Sequence, residues 1–351
     1  MSLKVFSLNE RELWTDALSE LETHLRDVYF TPDYYQLHQN YGDGVAECAL
    51  YSGASGCLIY AYLKNPIRPL GYDLPSEHYD IQGAYGYNGL AGSLSDHNEL
   101  SKFHSEFSNY CRDSNIVAEF TRFHPLIENV NYSRDHLSVR KNRSTVKVIL
   151  DRSFIEIQKE FSDSCRRAIR KAEKNGIKIT THTSSFHIAD FKRLYKATMD
   201  RTRSRPYLYF SDSYFEELFR VPNLVQFCAW LDDKVVATSL CFLSTPFFHY
   251  HLGASATEHL SMRPNNLLFQ EMISFANARG AKLLHLGGGN TASPDDSLFK
   301  YKTSYSHALC DFYVGYKIHD EETYKNLCDE WDRKANLPKL NTEVLRYRSS
   351  I

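Results

Sequence analysis

The spacing of hydrophobic and polar positions changes period several times along the chain, and the changes outline its elements. Val225 to Leu231 alternates as a half-buried strand does, and the turn signal Asp232-Asp233-Lys234 precedes a second β-rich run through Cys241 and Phe242. A third strand is expected after Pro246. The longest apolar run, Val235 to His251, is broken by Ser239, Ser244 and Pro246 and is rich in β-branched and aromatic residues, which indicates paired strands and not a membrane helix. After Arg263-Pro264-Asn265-Asn266 the period becomes helical, with Leu268, Met272, Phe275 and Ala276 on one face and Gly280 as C-cap. Ala281 to Leu286 then resumes as a buried strand.

The N-terminal half repeats this order. Val45 to Tyr51 alternates, a Gly/Ser turn covers 52–56, a strand runs from Cys57 to Leu63, a helix from Leu100 to Cys111, and a strand from Ile116 to Phe123. Hairpin, helix and strand also recur by chance in this order. The strand Thr145 to Leu150 and a new amphipathic helix from Ser162 or Ser164 favour duplication, and place a boundary near 144–155. Two α/β domains are expected, 1–150 and 151–316, consistent with a chain of 351 residues.

The helix after that boundary has two unlike faces. Cys165, Ala168, Ile169 and Ala172 form a narrow apolar stripe, and Gly176 ends the helix. Opposite them Arg166, Arg170 and Lys174 stack at i, i+4 and i+8, with Arg167 and Lys171 beside them. Like charges at that spacing cost about 0.2–0.5 kcal/mol per pair unless an anion offsets them. A polyanion-binding face and a solvated surface face both fit.

Composition narrows the classes. With 42% hydrophobic and 24% charged residues the chain is neither disordered nor fibrous. A net charge of -2 provides no global field for nucleic acid, so no DNA partner is expected and any RNA contact needs a local patch. The eight cysteines form no C-x-x-C pair and no zinc spacing, so reduced thiols are expected. Charges interrupt the first residues, and no stretch reaches the roughly 18 apolar residues of a spanning helix, so the expected location is cytoplasmic with no membrane span.

Several strings in order now add a resemblance: Tyr85-Gly-Tyr-Asn-Gly-Leu, Arg122-Phe-His-Pro-Leu, Cys165-Arg-Arg-Ala-Ile-Arg-Lys-Ala-Glu-Lys-Asn-Gly, Asn266-Leu-Leu-Phe-Gln-Glu-Met-Ile followed by Leu286-Gly-Gly-Gly, and Leu298-Phe-Lys. With these the chain resembles the Fem-type peptidyltransferases and the acetyltransferase-superfamily (GNAT) N-acyltransferases, and in particular their armless members, because no long charged heptad insertion is present. The resemblance implies an α/β (α+β) fold of two tandem GNAT-like domains, each a mixed central sheet flanked by helices. It implies a first domain on the acceptor side, completed by 317–351, and a second on the donor side. It further implies transfer of an acyl or aminoacyl group to an amine of a nucleotide- or lipid-linked envelope precursor of the sugar or peptide kind. The donor would be aminoacyl-tRNA or acyl-CoA as co-substrate, with no tightly bound cofactor. A CoA-dependent enzyme of this kind is expected to show Q/R-x-x-G-x-G/A before its central helix, where backbone N–H groups hold the pyrophosphate. Arg263-Pro-Asn-Asn stands there without a glycine. CoA-dependent acetylation of an amino sugar and a binding module that has kept only the fold are the competing readings.

Acyl transfer needs a neutral amine, donors facing an oxyanion, and an acid for the leaving group. Lys300 is the candidate for the last two roles, because it follows the glycine loop and Phe299-Lys300 matches the Phe-Lys of the Fem enzymes; an exposed lysine beside a buried Phe299 is the alternative. Gly287, Gly288 and Gly289 fit a loop that lets substrate approach the backbone, or a simple tight turn. Their match to a dinucleotide fingerprint fails, since Pro294 and Asp295-Asp296 follow where a helix should open. Tyr85, Tyr87 and Arg122 suit a sugar or nucleotide and its phosphates, or aromatic core packing. Arg201, Arg203 and Arg205 alternate just past a helix and fit an anion site, or a solvated helix end. Asn266 at the central helix start is a further substrate contact. His249 and His251 lie two apart on a strand, so a metal is sterically allowed, but without a visible third ligand none is expected, and His251 is read as a proton acceptor. Asp295 and Asp296 fit a pair that orients Lys300 or draws a proton from the amine, or one that caps a turn.

Overall fold

The computed structural model describes residues 2–94, 96–335 and 344–349. The chain divides into two compact units, Met1–Asn142 with Phe312–Ile351, and Arg143–Asp311. The division thus falls before the strand expected at 145–150 and not after it, and the returning segment starts at 312 and not at 317. Part of that segment, 336–343 and 350–351, lies outside the described residues.

In the first unit the strands are β1 (Ser2–Ser7), β2 (Val45–Ser52), β3 (Cys57–Pro66), β4 (Tyr79–Gln82), β5 (Leu90–Gly92) and β6 (Ile116–Arg122). Their helices are α1 (Arg11–Ser19), α2 (Pro32–Tyr41) and α3 (His97–Asp113). β1 to β4 pair antiparallel in sequence order, and β4 then lies parallel to β6, with α3 in the crossover. Asp96 opens α3 by accepting from the N–H groups of Asn98 and Glu99. Its apolar face, Leu100, Phe103, Phe107 and Cys111, closes one core with Tyr51, Tyr60 and Tyr62.

The second unit holds β7 (Ser138–Ile149) from Arg143 onward, α4 (Phe154–Lys159), α5 (Asp163–Lys174), β8 (Lys178–His182), α6 (Ile188–Thr202), α7 (Asp212–Leu218), β9 (Leu224–Leu231), β10 (Lys234–Ser244), β11 (Phe247–Ser255), α8 (Pro264–Ala278), β12 (Leu283–Gly287) and α9 (Ser297–Thr303). Sheet order is β7-β12-β11-β10-β9-β8. Only β11 and β12 run parallel, joined through α8. Alternate apolar residues of these strands, among them Val146, Phe227, Cys241, Phe248 and Leu284, form the core with Leu268, Met272 and Ile273 of α8 and Cys165 and Ile169 of α5. At about 25 cal/mol per Å² of apolar surface removed from water, such a continuous core is what holds these elements.

The chain re-enters the first unit through β13 (Leu309–Ile318), which pairs antiparallel with β6 from Val314 to Ile318, and then α10 (Glu321–Ala335). Val344 to Ser349 follows against Ile67, Tyr72 and Trp331. No helix among the described residues is long and apolar enough to cross a membrane, and all eight cysteines are free thiols.

Candidate functional site

The glycine loop after β12 is shaped by three charged side chains, one for each glycine. Gly287 adopts φ +76, which favours a residue without Cβ, and a Cβ there would lie 3.3 Å from Lys302 Nζ. At Gly288 the nearest atom to a Cβ would be Arg143 Cδ at 2.9 Å, and at Gly289 it would be Asp296 Oδ1, closer than any side chain tolerates. The same groups bind the loop. Lys302 Nζ donates to the Gly288 carbonyl at 2.7 Å, and Arg143 Nη1 donates to the Gly289 carbonyl at 2.7 Å. Asp296 accepts from the N–H groups of Leu298 and Phe299 and so starts α9, while its other oxygen takes the Thr291 N–H at 3.0 Å.

Lys302 is buried, with 5% of its surface exposed. Burial lowers its ammonium pKa to about 7, against the attraction of Asp296 and helped by the Arg143 charge. A lysine poised there donates and accepts protons with similar ease at neutral pH. Its Nζ stands 5.5 Å from the centre of the Tyr250 ring, which favours the charged form. Burial raises the Asp296 carboxyl, but the N–H groups of Phe299, Thr291 and Asn290 outweigh it and hold the group ionised well below neutral pH.

Tyr250 belongs to a break in the sheet. β11 and β12 pair over only three residues, Phe247 to His249 with Leu283 to His285. At the same point a bulge interrupts the β10–β11 register between Leu240 and Cys241, so the register passes from Leu252 to Tyr250 and skips His251. The simple alternation that groups His249 with His251 therefore does not hold through this stretch. His249 packs near His285, with ring centres 6.2 Å apart, and buried His251 packs edge-on against Phe242 at 5.0 Å.

Asn266 turns inward at the start of α8. Its Nδ2 donates to the Tyr305 hydroxyl at 3.1 Å, and that hydroxyl donates to the Asn266 carbonyl at 3.2 Å. Pro264 has no N–H, and the Asn266 N–H bonds the Arg263 carbonyl at 3.0 Å, so this helix start offers few donors to an anion.

The lysine expected from the sequence is elsewhere. Lys300 is 60% exposed and pairs with Asp295 at 2.8 Å. In the seven-residue α9, Phe299 and Lys302 share the inner face at i and i+3, which turns Lys300 outward. Arg201 and Arg205 are exposed; Arg201 Nη2 reaches Ser255 Oγ at 3.4 Å, and Arg203 caps α6 with φ 48. Tyr207 and Tyr209 just beyond are also exposed. Of the cationic helix residues, Arg170 and Lys174 face solvent, whereas Arg166 bonds Asp163 at 2.6 Å and the carbonyls of Lys159 and Phe161. Arg166 thus ties the α4–α5 turn and does not join an anion-facing row.

In the first unit, Arg122 donates to the Gly83 and Ala84 carbonyls at 2.6 and 2.8 Å. Its guanidinium fixes the loop after β4, a different task from phosphate binding. The Tyr85 carbonyl accepts from the Tyr34 hydroxyl. Tyr87 sits edge-on to Tyr29, His124 and Phe312, each near 5.5 Å, which is core packing.

Lys302, Arg143 and Tyr250 are the site residues that sequence reasoning missed. One signal was present: an aromatic residue followed by lysine occurs twice in succession, as Phe299-Lys300 and Tyr301-Lys302.

Comparison with known proteins agrees with this architecture. Residues 159–303 match the acetyltransferase (GNAT) domain family. A crystal structure of FemX superposes with a TM-score of 0.68 at 14% identity, covering 93% of this chain and 99% of that one. The C-terminal domain of a putative lysylphosphatidylglycerol synthetase from Agrobacterium fabrum gives 0.53 at 12%, covering 88% and 92%. A tandem GNAT protein from the clavulanic acid biosynthesis pathway gives 0.52 at 10%, covering 91% and 99%. No curated protein sequence matches the chain. The chain has the mixed α/β fold of the GNAT-type acyltransferases and resembles the Fem-type proteins.

Proposed function

We propose that the second unit carries an acyl or aminoacyl group from an activated ester or thioester to an amine, and that the amine belongs to a nucleotide- or lipid-linked building block of the cell envelope. The observation that carries the reading is Lys302: a buried ammonium, lowered by burial to about 7, bonded to the carbonyl of a half-buried glycine loop. In this mechanism the acceptor amine attacks the carbonyl carbon. Lys302 passes a proton to the departing oxygen or sulfur and regains it from the new amide nitrogen. Arg143 keeps the positive potential at the loop when Lys302 is neutral.

The acceptor's phosphates fall to Arg201, Arg203 and Arg205, and Tyr207 and Tyr209 offer rings for a base or sugar. Neither Arg203 nor Arg205 has an ion-pair partner among the described residues, so both charges are available. The start of α8, poor in N–H donors, favours an aminoacyl ester over acyl-CoA, and Arg170 and Lys174 of α5 supply cations for a polyanionic carrier such as aminoacyl-tRNA. The name lysylphosphatidylglycerol synthetase points to the same chemistry in a protein of like fold. Acyl-CoA is the second donor reading, favoured by the GNAT family match itself.

A screen of acetyl-CoA, charged tRNA and UDP-linked amino sugars, by thermal stabilisation and by product formation, tests this. Transfer to an amine that is lost in Lys302→Met, with folding intact, is the expected result. Full transfer by Lys302→Met, or no stabilisation and no product with any donor and acceptor pair, overturns the proposal.

A further inference from the structure

The two cations at the glycine loop act on carbonyl groups, and a planar trans peptide couples each carbonyl to the N–H on its far side. Lys302 holds the Gly288 carbonyl at 2.7 Å, so the Gly289 N–H of that peptide points away from Lys302. Arg143 holds the Gly289 carbonyl at 2.7 Å, which turns the Asn290 N–H away from Arg143, and Asp296 accepts it. The Asn290 donor is thereby used. The Gly289 N–H lies past the end of β12, is not enclosed, and has no hydrogen-bond partner among the described residues.

We propose that the Gly289 N–H is the donor that receives the oxyanion of the acyl-transfer intermediate, and that Lys302, which grips the Gly288 carbonyl of the same peptide, fixes its direction. The inference rests on the acyl-transfer reading above. In the first step the amine lone pair forms the C–N bond and the carbonyl π pair moves onto oxygen, which the Gly289 N–H holds. In the second the C=O bond re-forms and the bond to the leaving oxygen or sulfur breaks. The leaving atom departs with that electron pair and takes the proton that the amine gives up. An ammonium on the Gly288 carbonyl polarises the shared peptide, so the N–H at its other end becomes a stronger donor. A Cβ at 289 would meet the Asp296 carboxylate, so a side chain has no room beside this N–H.

An amide-to-ester replacement tests this without adding a side chain. Glycolate at 289 removes the N–H and also weakens the Gly288 carbonyl as an acceptor, so the pH profile is read beside kcat; glycolate at 280, which removes a glycine N–H outside the site at the end of α8, is the control. The expected result is a fall of about 10²–10³-fold in kcat with KM and the pH profile little changed for the 289 ester, and a change of under about threefold for the 280 ester. A 289 ester as active as the unmodified chain, or a larger loss at 280, overturns the assignment. If the 289 ester does not fold, the ¹⁵N-glycine amide spectrum decides. The Gly289 resonance is expected to move as Lys302 titrates near pH 7 and to stay fixed in Lys302→Met; a Gly289 resonance that ignores that titration overturns the proposal. An unmodified chain that transfers nothing fails the acyl-transfer reading itself and this inference with it, whereas an active chain with an active 289 ester fails only the inference.

Discussion

The Tyr250 ring centre and Lys302 Nζ lie 5.5 Å apart, with the ring carried by a bulged strand and the ammonium by a helix of seven residues. A cation over an aromatic face is worth about 0.5–2 kcal/mol where water is excluded. The ring therefore favours the protonated lysine. Tyr250→Leu is expected to move the alkaline limb of the transfer pH profile, where the Lys302 ammonium is lost, down by up to about one unit, and Tyr250→Phe to leave it in place. A profile unmoved in Tyr250→Leu would show that the ring has no electrostatic part in the site.

Lys302 also has a cost in stability. Its folded pKa of about 7 lies below the unfolded value, so the unfolded chain binds more protons between the two and stability rises with pH across that window. Below about pH 7 both states are charged, and the folded state carries the whole desolvation penalty. Lys302→Met is expected to be more stable at pH 6 by a few kcal/mol, on the order of one for each unit of pKa depression, and to gain nothing near pH 10.5. Urea unfolding at the two pH values checks this; equal gains at both would contradict it.

For Lys300 the expectation is the opposite of the one drawn from the sequence. Its pair with Asp295 is exposed on both sides, and such pairs, screened by water, contribute little. Lys300→Ala should leave kcat/KM within about twofold of the wild-type value, while Lys302→Ala loses at least about a hundredfold. Equal losses in parallel assays would restore Lys300 to the site.

In the first unit Arg348 donates to the buried Asp80 carboxylate at 2.6 Å and to the carbonyls of Asn65 and Pro66. Burial raises the Asp80 pKa and Arg348 opposes that rise. Arg348→Met removes the opposition, so the folded state holds its proton to higher pH than the unfolded state does. The loss of stability is expected to be about 3–5 kcal/mol at neutral pH and smaller toward pH 4. Adding Asp80→Asn should recover much of it. Thermal melts of the single and double variants at both pH values decide.

The periodic elements were legible in the sequence because their spacing encodes burial. The hairpin from Val225, the α8 stripe and the α5 stripe, with its start at Ser162, all appear where pattern places them. β4 was not legible: four residues, Tyr79–Gln82, with a buried aspartate among them, carry no periodic signal. The glycine loop stood out, but its partners did not. Arg143 reaches Gly289 across 146 positions, a contact no local pattern encodes. Lys302 was hidden by its neighbour, since the two lysines share an aromatic predecessor and only the Asp296 cap, by setting where α9 begins, decides which one turns inward. Arg122 and Arg166 were misread for one reason: a guanidinium suited to phosphate is equally suited to a pair of backbone carbonyls.

That β13, α10 and Val344 to Ser349 belong with the first unit gives the molecule an order of assembly. On the ribosome, all of Arg143–Asp311 has been synthesised before the strand that pairs with β6 exists. Domains fold as their residues emerge. The half carrying the glycine loop therefore reaches its native form first, and the half that precedes it in sequence waits, with one edge of its sheet unpaired, for translation to deliver its missing strand.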